Sequence, residues 1–368
     1  MPQSKITTRE AIILVVTVIV SHTIVSLPKT LLSTAKSAVI INMIYVGIIA
    51  ILLGYVIYRL FRQFHGQDII DISHFLGGPW LQKIVGFIFI SYFVSSSAFL
   101  LRNLCEGIKI IYFPYTNVTY ILLTFVVVLC ITNTFTFRSN VKTISLILPI
   151  VFVSILLLFF GNAKNFSVER MLPILGDGIY QTFVVGLGNL AAFGGIACLY
   201  FLPPYLKEPQ KFKKIAMLSV GISAIYLIFC VSTILFTFSF FVNVDEVLPL
   251  YSAARYIEFG TFFQRLESLF LLIWLLEICS YLCIANRFSM AIFQKITNLK
   301  QLKPLAFLFP LLQFAIALIP RNYAVSRYFE DTLYPYLVLG INLIMSFVIL
   351  FLANLKKKQK KVGVVSHE

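Results

Sequence analysis

Acidic side chains are scarce in this chain: 15 Asp and Glu stand against 30 Lys and Arg, with four histidines in 368 residues. Little is left from which to build proton-transfer or metal-assisted chemistry, and no HExxH, GxSxG or P-loop frame is present. The six cysteines (Cys105, Cys130, Cys198, Cys230, Cys279, Cys283) contain no CxxC pair and lie in or at the ends of apolar stretches. They offer no disulfide framework, and Cys279 and Cys283 share a helix face as packing residues would. Charged residues make up only 12% of the chain, and its polar connections are too short to hold a soluble catalytic domain. We therefore expect no enzymatic activity, no cofactor and no metal site.

What the chain does have is apolar length. It is 59% hydrophobic with a mean hydropathy of +0.92, unlike an ordinary soluble domain. A bilayer-spanning helix needs roughly 20 apolar residues. Ten stretches suit that role, at about 10–32, 38–59, 83–105, 118–137, 143–161, 178–203, 214–241, 265–286, 304–320 and 333–355. Val39 to Tyr58 and Leu333 to Leu355 carry no charge at all, whereas the ninth is short and contains Pro310. Basic residues precede the first stretch as in a signal peptide. No small-residue cleavage pattern follows it, so we read it as the first membrane helix.

The ten stretches sort 20 of the 30 Lys and Arg into alternate connections, from Lys5 and Arg9 through Lys207–Lys214 to the five lysines between Lys356 and Lys361. Cytoplasmic loops accumulate Lys and Arg, so the expectation is a multi-pass protein with both termini inside. The net charge of +15 sits at the ends of these loops, which suits anionic headgroups rather than nucleic acid.

Ten helices divide into five and five around the outer loop from Asn162 to Asp177, giving expected halves of residues 1–165 and 166–368. Five is odd, so the halves enter the membrane from opposite sides, as an inverted repeat requires. The first and sixth stretches are the most interrupted. Ser21-His22-Thr23 breaks the first, with Ser26-Leu27-Pro28 after it; Gly186-Leu187-Gly188-Asn189 breaks the sixth, with Gly194-Gly195 a turn further. Unwound backbone is tolerated at membrane depth only where it is buried in protein or lines a cavity, and matched interruptions in two halves point to a transporter-type binding site. Close helix packing is the other use of such glycines. Gly186–Ala191 also matches G-x-G-x-x-A, but inside a membrane helix, where the dinucleotide reading fails on context.

Exposed amides and a positive dipole end at a half-helix suit a carboxylate. The expected ligand is thus a small zwitterion such as an amino acid. The candidate contacts are Ser21, His22, Thr23, Ile24 and Ser26 at the first break and Gly186, Gly188 and Asn189 at the second. Glu277 lies mid-helix in the eighth stretch, where an acid costs at least ~2.5 kcal/mol by insertion scales. It reads as a proton-coupling or ligand-amine group, or as a structural hydrogen bond. Arg102 and Glu106 have the spacing of a same-face ion pair. The long outer connection from Asn243 to Gln264 reads as a lid or an interfacial helix. Asn117-Val-Thr119 and Asn165-Phe-Ser167 are weak sequons.

Four features together resemble the integral-membrane B subunit of spore nutrient germinant receptors, a branch of the amino acid–polyamine–organocation transporter superfamily. They are Ser4-Lys-Ile-Thr7-Thr8-Arg-Glu10 before the first stretch, Ile24-Val-Ser-Leu27-Pro28 at its end, His65-Gly-Gln-Asp68-Ile-Ile-Asp71 leading to Leu76-Gly77, and Gly188-Asn189-Leu-Ala-Ala-Phe-Gly194-Gly195. The resemblance spans nearly the whole chain. It implies an all-α LeuT-like fold of ten helices with the first and sixth discontinuous. It also implies a complex with a larger membrane subunit and a lipoprotein in the spore inner membrane, and nutrient sensing that leads to germination. Ser21-His22-Thr23 departs from the glycine many relatives carry there, which bears on the binding pose. A proton-coupled amino acid permease with Glu277 in its relay, and a purely structural scaffold, remain the alternatives.

Overall fold

The computed structural model describes residues 5–23, 27–238, 248–257, 266–299 and 304–365, and the described residues are almost entirely helical. The helices are α1 (Thr8–Val20), α2 (Leu27–Ala35), α3 (Val39–Phe61), α4 (Ile69–Tyr112), α5 (Val118–Thr134), α6 (Phe137–Gly161), α7 (Tyr180–Tyr200), α8 (Phe212–Thr237), α9 (Pro249–Arg255), α10 (Glu267–Thr297), α11 (Leu305–Ala317) and α12 (Tyr323–Gln359). Seven helical spans among the described residues are long and apolar enough to cross a membrane, and α5 and α11 are shorter apolar helices. The expected lid region falls largely outside the described residues; only α9 within it is described.

Helix starts follow local chemistry. Thr7 and Glu10 close a capping box, the Glu10 amide donating to Thr7 Oγ1 at 3.3 Å and the Thr7 amide to Glu10 Oε2 at 2.7 Å. Asp68 and Asp71 form another at α4. Lys295 near the end of α10 donates to both carboxylates, at 2.6 and 2.7 Å. Within α4 the helix bends at Gly77–Gly78, where Gly78 adopts φ +73° before Pro79. The third expected stretch therefore begins earlier than its apolar run: a short segment from Ile69 precedes the bend.

Helix α3 has one exposed apolar face and one buried face. On α3, Ile44, Ile48, Leu52 and Val56 recur every four residues and are exposed, while Val46, Gly47, Ala50 and Gly54 are buried. The buried glycines admit α8 closely: a Cβ on Gly54 would lie 3.1 Å from the Ala216 carbonyl oxygen, and one on Gly47 3.1 Å from Ala224 Cβ. Small residues at such crossings are how helices gain contact where lipid is as apolar as they are. A short parallel pairing of Ile6 with Leu206 joins the segment before α1 to the end of the α7 region, with Ile6 N donating to Tyr205 O at 2.8 Å.

Removing the ammonium from the α4–α10 tie leaves the buried Asp68 carboxylate uncompensated. Lys295→Met should destabilise the bundle by about 2–3 kcal/mol, read as a lowered thermal midpoint in detergent. Asp68→Asn in the same chain should recover part of that loss.

Candidate functional site

Beyond Val20 the first helix winds on as a 3₁₀ turn, Ser21–Thr23, before α2 resumes at Leu27. Ile24 and Ser26 lie outside the described residues. The winding of α7 changes too: Tyr180–Val184 is π-helical and Val185–Tyr200 is 3₁₀, with Phe193 out of helical geometry. Runs of 3₁₀ winding beyond three or four residues are uncommon and mark functional hinges or strain.

A cavity of about 220 Å³ opens between these two segments. His22 forms one side; Thr30, Leu31 and Thr34 of α2 form another; Val185, Gly188, Asn189, Ala191 and Ala192 come from α7. The remaining wall is Glu330, Asp331, Tyr334 and Pro335 of α12. At roughly 30 Å³ per water the space holds about seven waters, the scale of a small metabolite. A second cavity of the same size, bordered by Arg62, His65 and Gln210, sits away from both segments and lacks a buried unpartnered group.

His22 is 5% exposed, and its Nδ1 has no hydrogen-bond partner among the described residues, lying 3.9 Å from Glu330 Oε1. Its ring is held at 4.9 Å from both Tyr281 (edge-on) and Tyr334 (stacked). Glu330 is 7% exposed. Its Oε2 accepts from Asn103 Nδ2, and Arg327 Nη1 stands 4.0 Å from that same oxygen. Asp331 accepts from Thr30 Oγ1 at 2.7 Å and pairs with Arg327 Nη2 at 3.0 Å, so α2 and α12 meet across the mouth of the cavity. Charged groups this deep persist only when paired and hydrogen-bonded.

Of the residues singled out by sequence, His22, Gly188 and Asn189 line this cavity. Ser21 is turned away, its hydroxyl donating to the Thr17 carbonyl. The two helix-breaking glycines differ in kind. A Cβ on Gly186 would fall 2.3 Å from Asn42 Nδ2, so its bareness is a packing requirement; one on Gly188 would meet nothing within 4 Å. Gly195 serves packing as well, since its Cβ would strike the α1 backbone at Ile19. Glu277 is wholly buried, outside the cavity, with neither carboxylate oxygen hydrogen-bonded among the described residues. Ser21 and Tyr226 are the polar groups that bear on it. Arg102 and Glu106 form the expected same-face pair, at 2.7 Å, and Arg102 also donates to Ala317 O.

Glu330, Asp331 and Tyr334 were missed by the sequence reading. Glu330 and Asp331 fall in a charged segment that read as an outer loop, and Tyr334 at the head of the stretch 333–355, whereas α12 begins at Tyr323 and is π-helical over Phe329–Leu333. The available signal was the Arg327-x-x-Glu330-Asp331 spacing, which puts the guanidinium and both carboxylates on one helix face. No group of three or more His, Cys, Asp or Glu suited to a metal occurs among the described residues.

These helices, with a cavity between α1, α2, α7 and α12, define a membrane protein of the LeuT-type transporter fold. A Na⁺-coupled sialic acid symporter, solved substrate-bound and outward-open, superposes with a TM-score of 0.65 over 95% of this chain and 78% of its own, at 12% identity. Residues 5–326 match the spore permease family of spore germination proteins, and the chain belongs to that family. Relatives include spore germination protein YndE of Bacillus subtilis (strain 168), 23% identical over 87% of this chain and 89% of its own. Spore germination protein A2 of the same organism is 24% identical over 58% of each chain, and GerQB of Bacillus cereus 22% over 64% of each.

The two glycines can be separated by experiment. Gly188→Ala should leave the thermal midpoint nearly unchanged, within about 0.5 kcal/mol. Gly186→Ala should cost about 1–3 kcal/mol by overpacking against Asn42. Equal midpoints for the two variants would contradict the assignment.

Proposed function

We propose that this protein is the membrane subunit of a spore germinant receptor, binding a small nutrient of amino acid type in the cavity between α1 and α7. In this reading both termini are cytoplasmic, the protein resides in the spore inner membrane, and residues 1–165 and 166–368 are two inverted five-helix repeats. A larger membrane subunit and a lipoprotein subunit receive the signal. The observation that carries the reading is the buried Nδ1 of His22, without a hydrogen-bond partner among the described residues, in the wall of a small cavity that is bare at Gly188.

Chemically, His22 offers a hydrogen bond to a polar ligand atom, Glu330 offers a negative charge to an amine, and Asn189 and the α7 backbone offer polar groups to a carboxylate. Leu31, Val185, Ala191 and Ala192 give the apolar surface for a side chain. Ser21 and Gly186 then shape the two breaks. Signalling requires the ligand to bind one arrangement of the breaks more tightly than another.

A second reading, a proton-coupled amino acid permease, is favoured by Glu277, a buried carboxylate beside Ser21 with no hydrogen-bonded partner among the described residues. The two readings part in proteoliposomes containing this chain alone. The receptor reading expects amino acid binding without gradient-driven accumulation; saturable, proton-driven uptake abolished by Glu277→Gln would establish the permease.

Loss of one hydrogen bond to a charged ligand group is worth about 1.5–3 kcal/mol, roughly a 10- to 150-fold weaker Kd. His22→Phe should weaken nutrient binding by that factor while the chain remains in the membrane at normal abundance. Unaltered binding would remove His22 from the site.

A further inference from the structure

Asn42 is the one polar side chain on the buried face of α3, fully enclosed with Met43, Val46, Gly47 and Ala50 as its neighbours along that face. It lines no part of the cavity. Its amide is nonetheless committed to α7. Nδ2 donates to the Thr182 carbonyl at 2.8 Å and to the Gly186 carbonyl at 3.0 Å, and Oδ1 accepts from Asn189 Nδ2 at 2.7 Å. The amide orientation follows from the partners, because two backbone carbonyls can only accept.

The position of these three contacts is informative. Thr182 lies in the π-helical turn and Gly186 in the 3₁₀ segment, so Asn42 bridges the point at which the ladder changes pitch. Such a change frees carbonyls that a membrane interior cannot hydrate. Gly186 is bare because the Asn42 amide occupies the space its Cβ would take. One turn along α3, Tyr45 meets Phe183 edge-on at 5.1 Å, a second hold on the same stretch. The third partner, Asn189, is a wall of the cavity.

We propose that Asn42 is a positioning residue for the cavity: from behind it, the amide clasps both sides of the α7 break and fixes Asn189 in its ligand-facing place. The proposal rests on the reading of this cavity as the nutrient site, and α3 gains a role there that its apolar sequence does not announce. Helix α3 also runs on to the basic end of the bundle. There Asn354 Nδ2 of α12 donates to the Leu60 carbonyl at 2.9 Å, and Lys357 donates to that of Gln63. A change in the break that loosens the clasp thus acts on a helix anchored to α12 at its other end.

The test uses the full chain in lipid nanodiscs, with hydrogen exchange followed peptide by peptide and a thermal-shift panel of the twenty amino acids as binding probe. In Asn42→Ala, amides of residues 183–190 should exchange at least tenfold faster while those of α4 and α10 keep their wild-type rates. Any amino acid that shifts the wild-type midpoint should bind at least tenfold more weakly. If Asn42→Ala fails to accumulate, Asn42→Asp keeps the size and the contact with Asn189 but cannot donate to the two carbonyls, and the same local result is expected. Exchange that rises evenly through the bundle, or does not rise at 183–190, overturns the proposal. A panel with no response to the wild-type chain counts against the nutrient reading alone, since the exchange result judges the clasp without a ligand.

Discussion

A bilayer interior contains no water to hydrogen-bond a carbonyl or an amide, so each break in a membrane helix must be repaired by another part of the protein. Much of this structure follows from that constraint. Helix α7 departs from regular winding along its length, and its loosened carbonyls are met by side chains from the helices flanking it. Asn42 serves Thr182 and Gly186, while Asn342 of α12 donates to the Gly194 carbonyl and to Tyr92 Oη, both at 3.0 Å. Tyr200 in turn donates to the Asn342 carbonyl. The irregular helix is held by asparagines on two neighbours, Asn42 at Thr182 and Gly186 and Asn342 at Gly194, and the cavity lies between these braces. The glycines are the other half of the arrangement: Gly186 and Gly195 are small so that an amide or a backbone can come close, which frees Gly188 to be small for the sake of empty space.

Charge is treated in the same way. The buried ionised side chains are grouped so that each cation serves more than one acceptor. Arg102 bonds Glu106 and the end of α11, Lys295 bonds two capping carboxylates at the start of α4, and Arg327 stands between Glu330 and Asp331. A buried charge left alone is far more costly than one in such a group. Among the described residues, His22 at Nδ1 and Glu277 at both oxygens are among the ionisable side chains that depart from this pattern. His22 belongs to the turn Ser21–Thr23 and lines the cavity, while Glu277 lies outside the cavity with Ser21 beside it.

Membership of the spore germination family and a transporter-type fold agree with what composition, loop charge and the quoted motifs implied. The site was legible only in part. His22, Gly188 and Asn189, which line the cavity, were singled out because an interruption in an apolar run is visible in one dimension. Glu330, Asp331 and Tyr334 were passed over because three charges near the head of a stretch look like solvent-exposed loop when their mutual neutralisation cannot be seen. Asn42 escaped for the opposite reason: one amide in a long apolar helix looks incidental until its partners on α7 are known. Gly186 and Gly188, two residues apart, were indistinguishable in sequence, since a glycine's role depends on what would have met its side chain.

The amino-acid sequence alone determines the solvent in which this chain folds and the apolar segments available to it. It also shows where those segments are weakened, because hydropathy, loop charge and helix-breaking residues act locally and additively along the chain. Only the tertiary structure decides which weakened segments face one another and which glycine is a gap rather than a contact. It decides equally which buried charges are neutralised and which are left with a hydrogen bond to offer, because pairing and packing depend on neighbours that lie tens or hundreds of residues away.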